Sequence, residues 1–198
     1  MSRAFRIWVA LAGSLVLTVV AATAQTADQD QQKAVEMYAK LGAANEHHAW
    51  LKPFVGKWKV TGMMWMFPGA EPAKFENESR AELVMGGRFL EMNTKGQMMG
   101  EAFEGFQVIG YDNLQQKYVV FWIDNTATAF YLTTGILDAA GQTLTETGLW
   151  PDPLSGKQVK VRNVTRRIGP DEFTYESFMT LPDGREFKTL EQHALRIK

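Results

Sequence analysis

The run Glu104-Gly105-Phe106-Gln107-Val108-Ile109-Gly110-Tyr111-Asp112-Asn113-Leu114-Gln115-Gln116-Lys117-Tyr118-Val119-Val120-Phe121-Trp122-Ile123-Asp124 decides the fold class. Two stretches rich in aromatic and β-branched residues flank a polar segment that begins with Asp112-Asn113, the turn chemistry of an antiparallel connection. Helical spacing of the apolar residues is absent here, and the same pattern repeats along most of the chain. Ten strands are expected, at about 57–66, 77–84, 87–95, 102–110, 117–124, 129–137, 142–149, 158–168, 171–181 and 185–197. Met85-Gly86-Gly87, Asp138-Ala139-Ala140-Gly141, Gly169-Pro170-Asp171 and Pro182-Asp183-Gly184 punctuate them. Connections this short cannot hold parallel crossovers, so successive strands run up and down. Ten meandering strands leave two long edges unless the sheet closes on itself. The expectation is an all-β, closed antiparallel up-and-down barrel, with a sandwich as the alternative.

Upstream of the strands the pattern differs. Arg3 and Arg6 precede an apolar run from Ile7 to Val20, and Ala22-Thr23-Ala24 supplies small residues where a signal peptidase cuts. The run is too short for a spanning helix, so residues 1–24 read as a signal peptide cleaved after Ala24, with no stable membrane span. The protein is then periplasmic or secreted. Residues 25–45 form a polar and helical segment, with a short helix over Lys33 to Leu41. Asn45 reads as the N-cap of a second turn that carries His47, His48, Trp50 and Leu51 and stops at Pro53. The barrel domain occupies 46–198.

Composition excludes more than it selects. With 198 residues and a net charge of −1, no basic excess is present to neutralise phosphates, which argues against nucleic acid as a partner. The absence of Cys removes disulfides, thiolate catalysis and thiolate metal sites. The three histidines give no ligand set, because adjacent His47 and His48 diverge on a helix. In Met63-Met64-Trp65-Met66 the strand alternation sends Met64 and Met66 to the face of Trp58, and Met63 and Trp65 to the other. That split favours packing over a thioether metal cage. No nucleophile elbow, phosphate loop or zinc-protease motif occurs, and no catalytic set is assigned.

The segment Phe54-Val55-Gly56-Lys57-Trp58 resembles the first-strand signature of lipocalin-like (calycin) barrels. There the Trp plugs the closed end and a basic residue of the last strand lies across its ring. Trp58 and Arg196 are the matching pair implied here. Met85-Gly86-Gly87-Arg88-Phe89-Leu90, Gly105-Phe106, Gly110-Tyr111-Asp112-Asn113, Phe121-Trp122-Ile123-Asp124 and Asp138-Ala139-Ala140-Gly141 extend the likeness. Together they resemble an uncharacterised bacterial domain-of-unknown-function family with a lipocalin-like barrel, over roughly residues 47–198. That resemblance implies the fold and no activity.

The expected function is binding of a small hydrophobic molecule inside the barrel, without catalysis and without a cofactor. Trp58, Phe103, Phe121, Phe130, Tyr131, Phe173 and Phe178 alternate with polar residues, as a mostly apolar pocket wall would. The ligand-binding residues named from the sequence are Arg162, Glu176, Glu191, Tyr111, Phe121 and Phe130. Arg162, Glu176 and Glu191 are expected to form one charged cluster lining or sealing the barrel, since unpaired buried charges are costly. The same cluster, with Tyr111 and Asp124, would serve an isomerase or hydrolase of this fold. A haem-binding barrel is the further alternative, because nitrobindin-like proteins share the ten-stranded form. It would need His193 to face inward, beside the carboxylate of Glu191.

Overall fold

The computed structural model describes residues 28–152 and 155–198; the expected leader and its cleavage site lie outside them. One unit ends at Ala43 and contains helix α1, helical over 28–41. Among the described residues no helix is long and apolar enough to cross a membrane. The other unit, Ala44–Lys198, holds every strand found among the described residues.

The second unit opens with α2 (Glu46–Ala49), capped as its sequence predicts. The Asn45 side chain accepts from the His47 N–H at 3.0 Å, and the His48 ring accepts from the Asn45 N–H at 3.1 Å. A single 3-10 turn, Lys52–Phe54, follows. Ten strands then run β1 Gly56–Met64, β2 Ala73–Val84, β3 Phe89–Met98, β4 Glu101–Asp112, β5 Lys117–Asp124, β6 Tyr131–Leu137, β7 Thr143–Asp152, β8 Lys157–Gly169, β9 Glu172–Thr180 and β10 Glu186–Ile197. Each pairs antiparallel with its neighbours in sequence, and β10 returns to β1, so the barrel is closed. β2 begins earlier than its sequence predicts, because the Phe75, Asn77, Ser79 and Ala81 positions alternate inward without a break.

Register decides which side chains face inward. Trp58 pairs with Arg196 and Val60 with Ala194, so even positions of β1 and β10 share the inner face. Ala194 pairs with Phe173, and Ser177 with Asn163, which carries the inner face to odd positions of β9 and β8. Asn163 pairs with Glu146, and Glu146 with Gly135, which fixes the inner face of β7 and β6. Tyr118 and Val120 complete it on β5. Two register shifts, at Lys188/Leu190 and Arg167/Gly169, interrupt this alternation.

The core is anchored at one end and continues along the barrel to Phe75, with Met64 and Leu190 packed against it. Trp50, Leu51 and Phe54 of the α2 segment descend onto Trp58, Tyr118, Leu144, Phe173 and Ala194. Trp58 is 1 % exposed and donates its indole N–H to the Phe54 carbonyl at 2.8 Å. The Arg196 guanidinium lies 4.2 Å from the Trp58 ring centroid, a contact worth about 0.5–2 kcal/mol. Arg196 also donates to Val55 O and Pro53 O, each at 2.6 Å, to Pro170 O at 2.9 Å and to Asp171 Oδ1 at 2.7 Å. A single side chain thus ties the plug, the β8–β9 turn and the first strand together.

Candidate functional site

Among the described residues of this unit, α2 and the turn that follows it cover only the Trp58 end. At the opposite end the inward-facing side chains include Met64, Phe75, Phe103, Trp122, Tyr131, Trp150, Val161, Met179 and Leu190, placed by the pairings above. Phe75 and Phe103 are buried, while Met64, Trp122, Tyr131, Trp150, Met179 and Leu190 are half-buried. Trp122 lies flat across the backbone of Gly105, where any added Cβ would sit 2.3 Å from the indole. Its Nε1–H donates to Asp124 Oδ2 at 2.7 Å, and Asp124 also receives the Thr126 N–H at 2.9 Å. Tyr131 meets Trp150 edge-on, with centroids 4.9 Å apart and planes at 65°. The result is a half-buried apolar lining that continues into the core through Phe75, Met64 and Leu190.

Beneath it runs a buried polar floor. Glu146 is 2 % exposed, and its carboxylate accepts from Thr133 Oγ1–H at 2.6 Å. Asn163 bonds it as well, and the Ser177 hydroxyl donates to Asn163 Oδ1 at 2.9 Å. Across the barrel Ser79 and Thr94 share a hydrogen bond of 2.7 Å. Burial pushes the Glu146 carboxyl up to about 7, against the weaker opposing pull of Thr133 and Asn163. The Tyr175 phenol is raised far above its ordinary range, by desolvation first and by the Glu146 charge second. The floor fits closely, since a Cβ on Gly135 would lie 2.9 Å from Glu146 Cγ. Near neutral pH Glu146 is therefore divided between its acid and carboxylate forms.

The residues named from sequence fall elsewhere. Glu176 pairs with Val164 and Glu191, and Glu191 with Met63, all of outer-face parity. Both carboxylates share Lys188, Glu191 at 3.1 Å and Glu176 closer still. Arg162, also on the outer face, makes a two-pronged pair with Glu186 at 2.7 Å and covers the Phe178 ring at 4.2 Å. The expected cluster therefore neither lines nor seals the lumen. Its acids and its arginine are satisfied by Lys188 and Glu186 on the surface, which removes the desolvation argument that placed them inside. Phe121 stands opposite Val108 and Leu132 on the outer wall, stacked on the 73 % exposed Phe130. Tyr111 belongs to the plugged end, stacked on His47 at 4.1 Å and edge-on to Tyr118.

His193 also has outer-face parity, and its Nε2 lies 2.8 Å from Glu172. The other two histidines sit on α2 at the plug, His48 buried there edge-on to Tyr111, so no imidazole stands at the opposite end. That end offers haem no axial imidazole. An open depression of about 880 Å³ crosses the outer wall beside His193, bordered by Lys74, Glu76, Arg166 and Glu191. Its acids are already neutralised, Glu76 by Lys59 at 2.9 Å and Glu191 by Lys188.

Glu146 was missed by sequence reasoning, although a signal existed. It shares strand parity with Leu144, Gly148 and Trp150, so a carboxyl stands in a row of apolar residues.

The family model described as "Protein of unknown function (DUF1579)" matches residues 43–196. Among solved structures, Rv2717c from M. tuberculosis is similar with a TM-score of 0.55 and 18 % identity, covering 75 % of this chain and 98 % of its own. A redesigned β-barrel, b11L5F_LGL, is similar with a TM-score of 0.39 and 13 % identity, covering 74 % of this chain and 94 % of its own. No curated protein matches the chain. The first likeness supports the barrel fold alone.

Proposed function

Since the chain belongs to the DUF1579 family, whose description assigns no activity, we propose its function from the barrel itself: it binds one small, mostly hydrophobic molecule through the unplugged end. The observation that carries this reading is the half-buried apolar lining of Met64, Trp122, Tyr131, Trp150, Met179 and Leu190 above a buried polar floor. Pockets that hold small molecules combine a mostly apolar wall with a few placed polar groups. Burial of that exposed apolar surface supplies the drive, about 25 cal/mol per Å² covered. Glu146 and its partners at the floor supply orientation. The binding is proposed as non-catalytic. We further propose that the protein acts after export, with cleavage after Ala24, on the strength of the Arg-flanked apolar run.

The test has two arms. Mass spectrometry of protein isolated under native conditions from its own host should reveal a co-purifying apolar molecule. Calorimetric titration with ethylnaphthalene should saturate at one equivalent, and Met179→Arg, which places a charge among the lining residues, should abolish uptake. A clean native mass together with no saturable uptake would overturn the reading.

A further inference from the structure

Among the described residues, Trp150 Nε1 is the only buried side-chain nitrogen or oxygen without a hydrogen-bond partner. Buried donors are paired in the great majority of cases, so an orphan calls for an explanation. The two lumenal indoles make the contrast sharp. Trp122 satisfies its N–H within the chain, on Asp124 Oδ2 at 2.7 Å. Trp150 has no such carboxylate. Its nearest aromatic neighbour, Tyr131, stands edge-on at 4.9 Å, and a ring face is only a weak acceptor.

Trp150 belongs to the half-buried lining, its Nε1 covered by neighbouring side chains that a bound molecule would displace to reach the N–H. It has lumenal parity on β7, four residues beyond Glu146 toward the unplugged end, and pairs with Val159 on β8. Resting on the proposed lumenal binding, we infer that the Trp150 indole N–H anchors the ligand, which is therefore an apolar molecule bearing one neutral oxygen acceptor, such as a ketone or ester carbonyl. Neutrality follows from charge placement. Arg162, Lys74 and Lys188 all have outer-face parity, and Lys157, of lumenal parity, is exposed at the rim opposite Asp152, so none is buried among the lining to receive an anion. A single donor among apolar side chains selects against a hydrocarbon of the same shape, because that analogue leaves the N–H unpaired.

The experiment compares acetylnaphthalene with its carbonyl-free isostere ethylnaphthalene on the wild-type chain and on Trp150→Phe, by calorimetric titration. Phe keeps an aromatic ring in the wall and removes only the N–H. The substitution should raise the Kd of the ketone about fivefold more than that of the hydrocarbon, the size of one net hydrogen bond. Equal loss for both probes, or no loss for either, would overturn the anchor while leaving lumenal binding intact. Failure of both probes to bind the wild-type chain would overturn the binding reading and the anchor with it. A Trp150→Phe variant that does not fold is replaced by Trp150 labelled with an indole ¹⁵N in the native chain. There the ketone, and not the hydrocarbon, should shift the indole N–H resonance downfield; an unmoved resonance would overturn the anchor.

Discussion

The two ends of the barrel are built from the same ten strands and do opposite things with their aromatic residues. At one end Trp50, Phe54, Trp58, Tyr118 and Phe173 are buried under a helical plug, and every indole N–H has a carbonyl: Trp58 on Phe54, Trp50 on Gly141 at 3.0 Å. At the other, Trp122, Tyr131 and Trp150 stay half-buried, and one indole N–H is orphaned. The plugged end spends its aromatic surface on stability, and the open end holds it in reserve. Similar residues therefore carry different consequences when they are removed.

Four measurements would break or sharpen that contrast. Trp58→Ala should cost about 3–5 kcal/mol in denaturant unfolding, the range for an emptied aromatic site. A loss below about 1 kcal/mol would mean that the plugged end is not the stabilising one. Between the ends, Glu146 should make stability depend on pH. Its folded value, about 7, lies above the ordinary carboxylate value of 4.5, so the folded state binds the proton more tightly. Stability is then full below about pH 4.5 and falls as pH rises through about 7, by on the order of 3 kcal/mol at most. Glu146→Gln should flatten that slope, and an unchanged slope would assign it to another group. Arg196→Met keeps a side chain over Trp58 but removes the bonds to four backbone and carboxylate partners. It should cost about 2 kcal/mol. Last, Met179→Ala at the open end should cost only about 1 kcal/mol, because a half-buried side chain leaves little cavity. If it costs as much as Trp58→Ala, the two ends are one continuous core.

Strand positions and turns were legible because they rest on local chemistry. Lys117–Asp124 coincides with its sequence expectation, the Asn45 cap lies where the local residues place it, and the Trp58–Arg196 contact is the one the lipocalin-like resemblance implies. Inside and outside were not legible. In β5, Tyr118 and Val120 point inward while Val119, Phe121 and Ile123 point outward, so both faces look like a core. Alternation groups such residues without saying which group is buried. Arg162, Glu176 and Glu191 misled for a related reason: their partners Glu186 and Lys188 lie far away or across a register shift, out of view of a local reading. Glu146 was hidden by Thr145 and Thr147, which make its surroundings look wet.

The seam between the first and last strands sets the order of folding. Arg196 reaches Val55 across 141 residues of chain, and β1 pairs with β10 from Lys57 to Met64. Every other strand pair joins segments adjacent in sequence, so hairpins can form early and at low loop-closure cost. The seam cannot form until the entire meander is in place. Until then β1 and β10 each expose an unpaired ladder, which is a template for pairing with another chain. Closure is thus the late, high-contact-order step, and the interval before it is when this protein is most exposed to misassembly. Arg196 ends that interval by latching both sides of the seam to the plug.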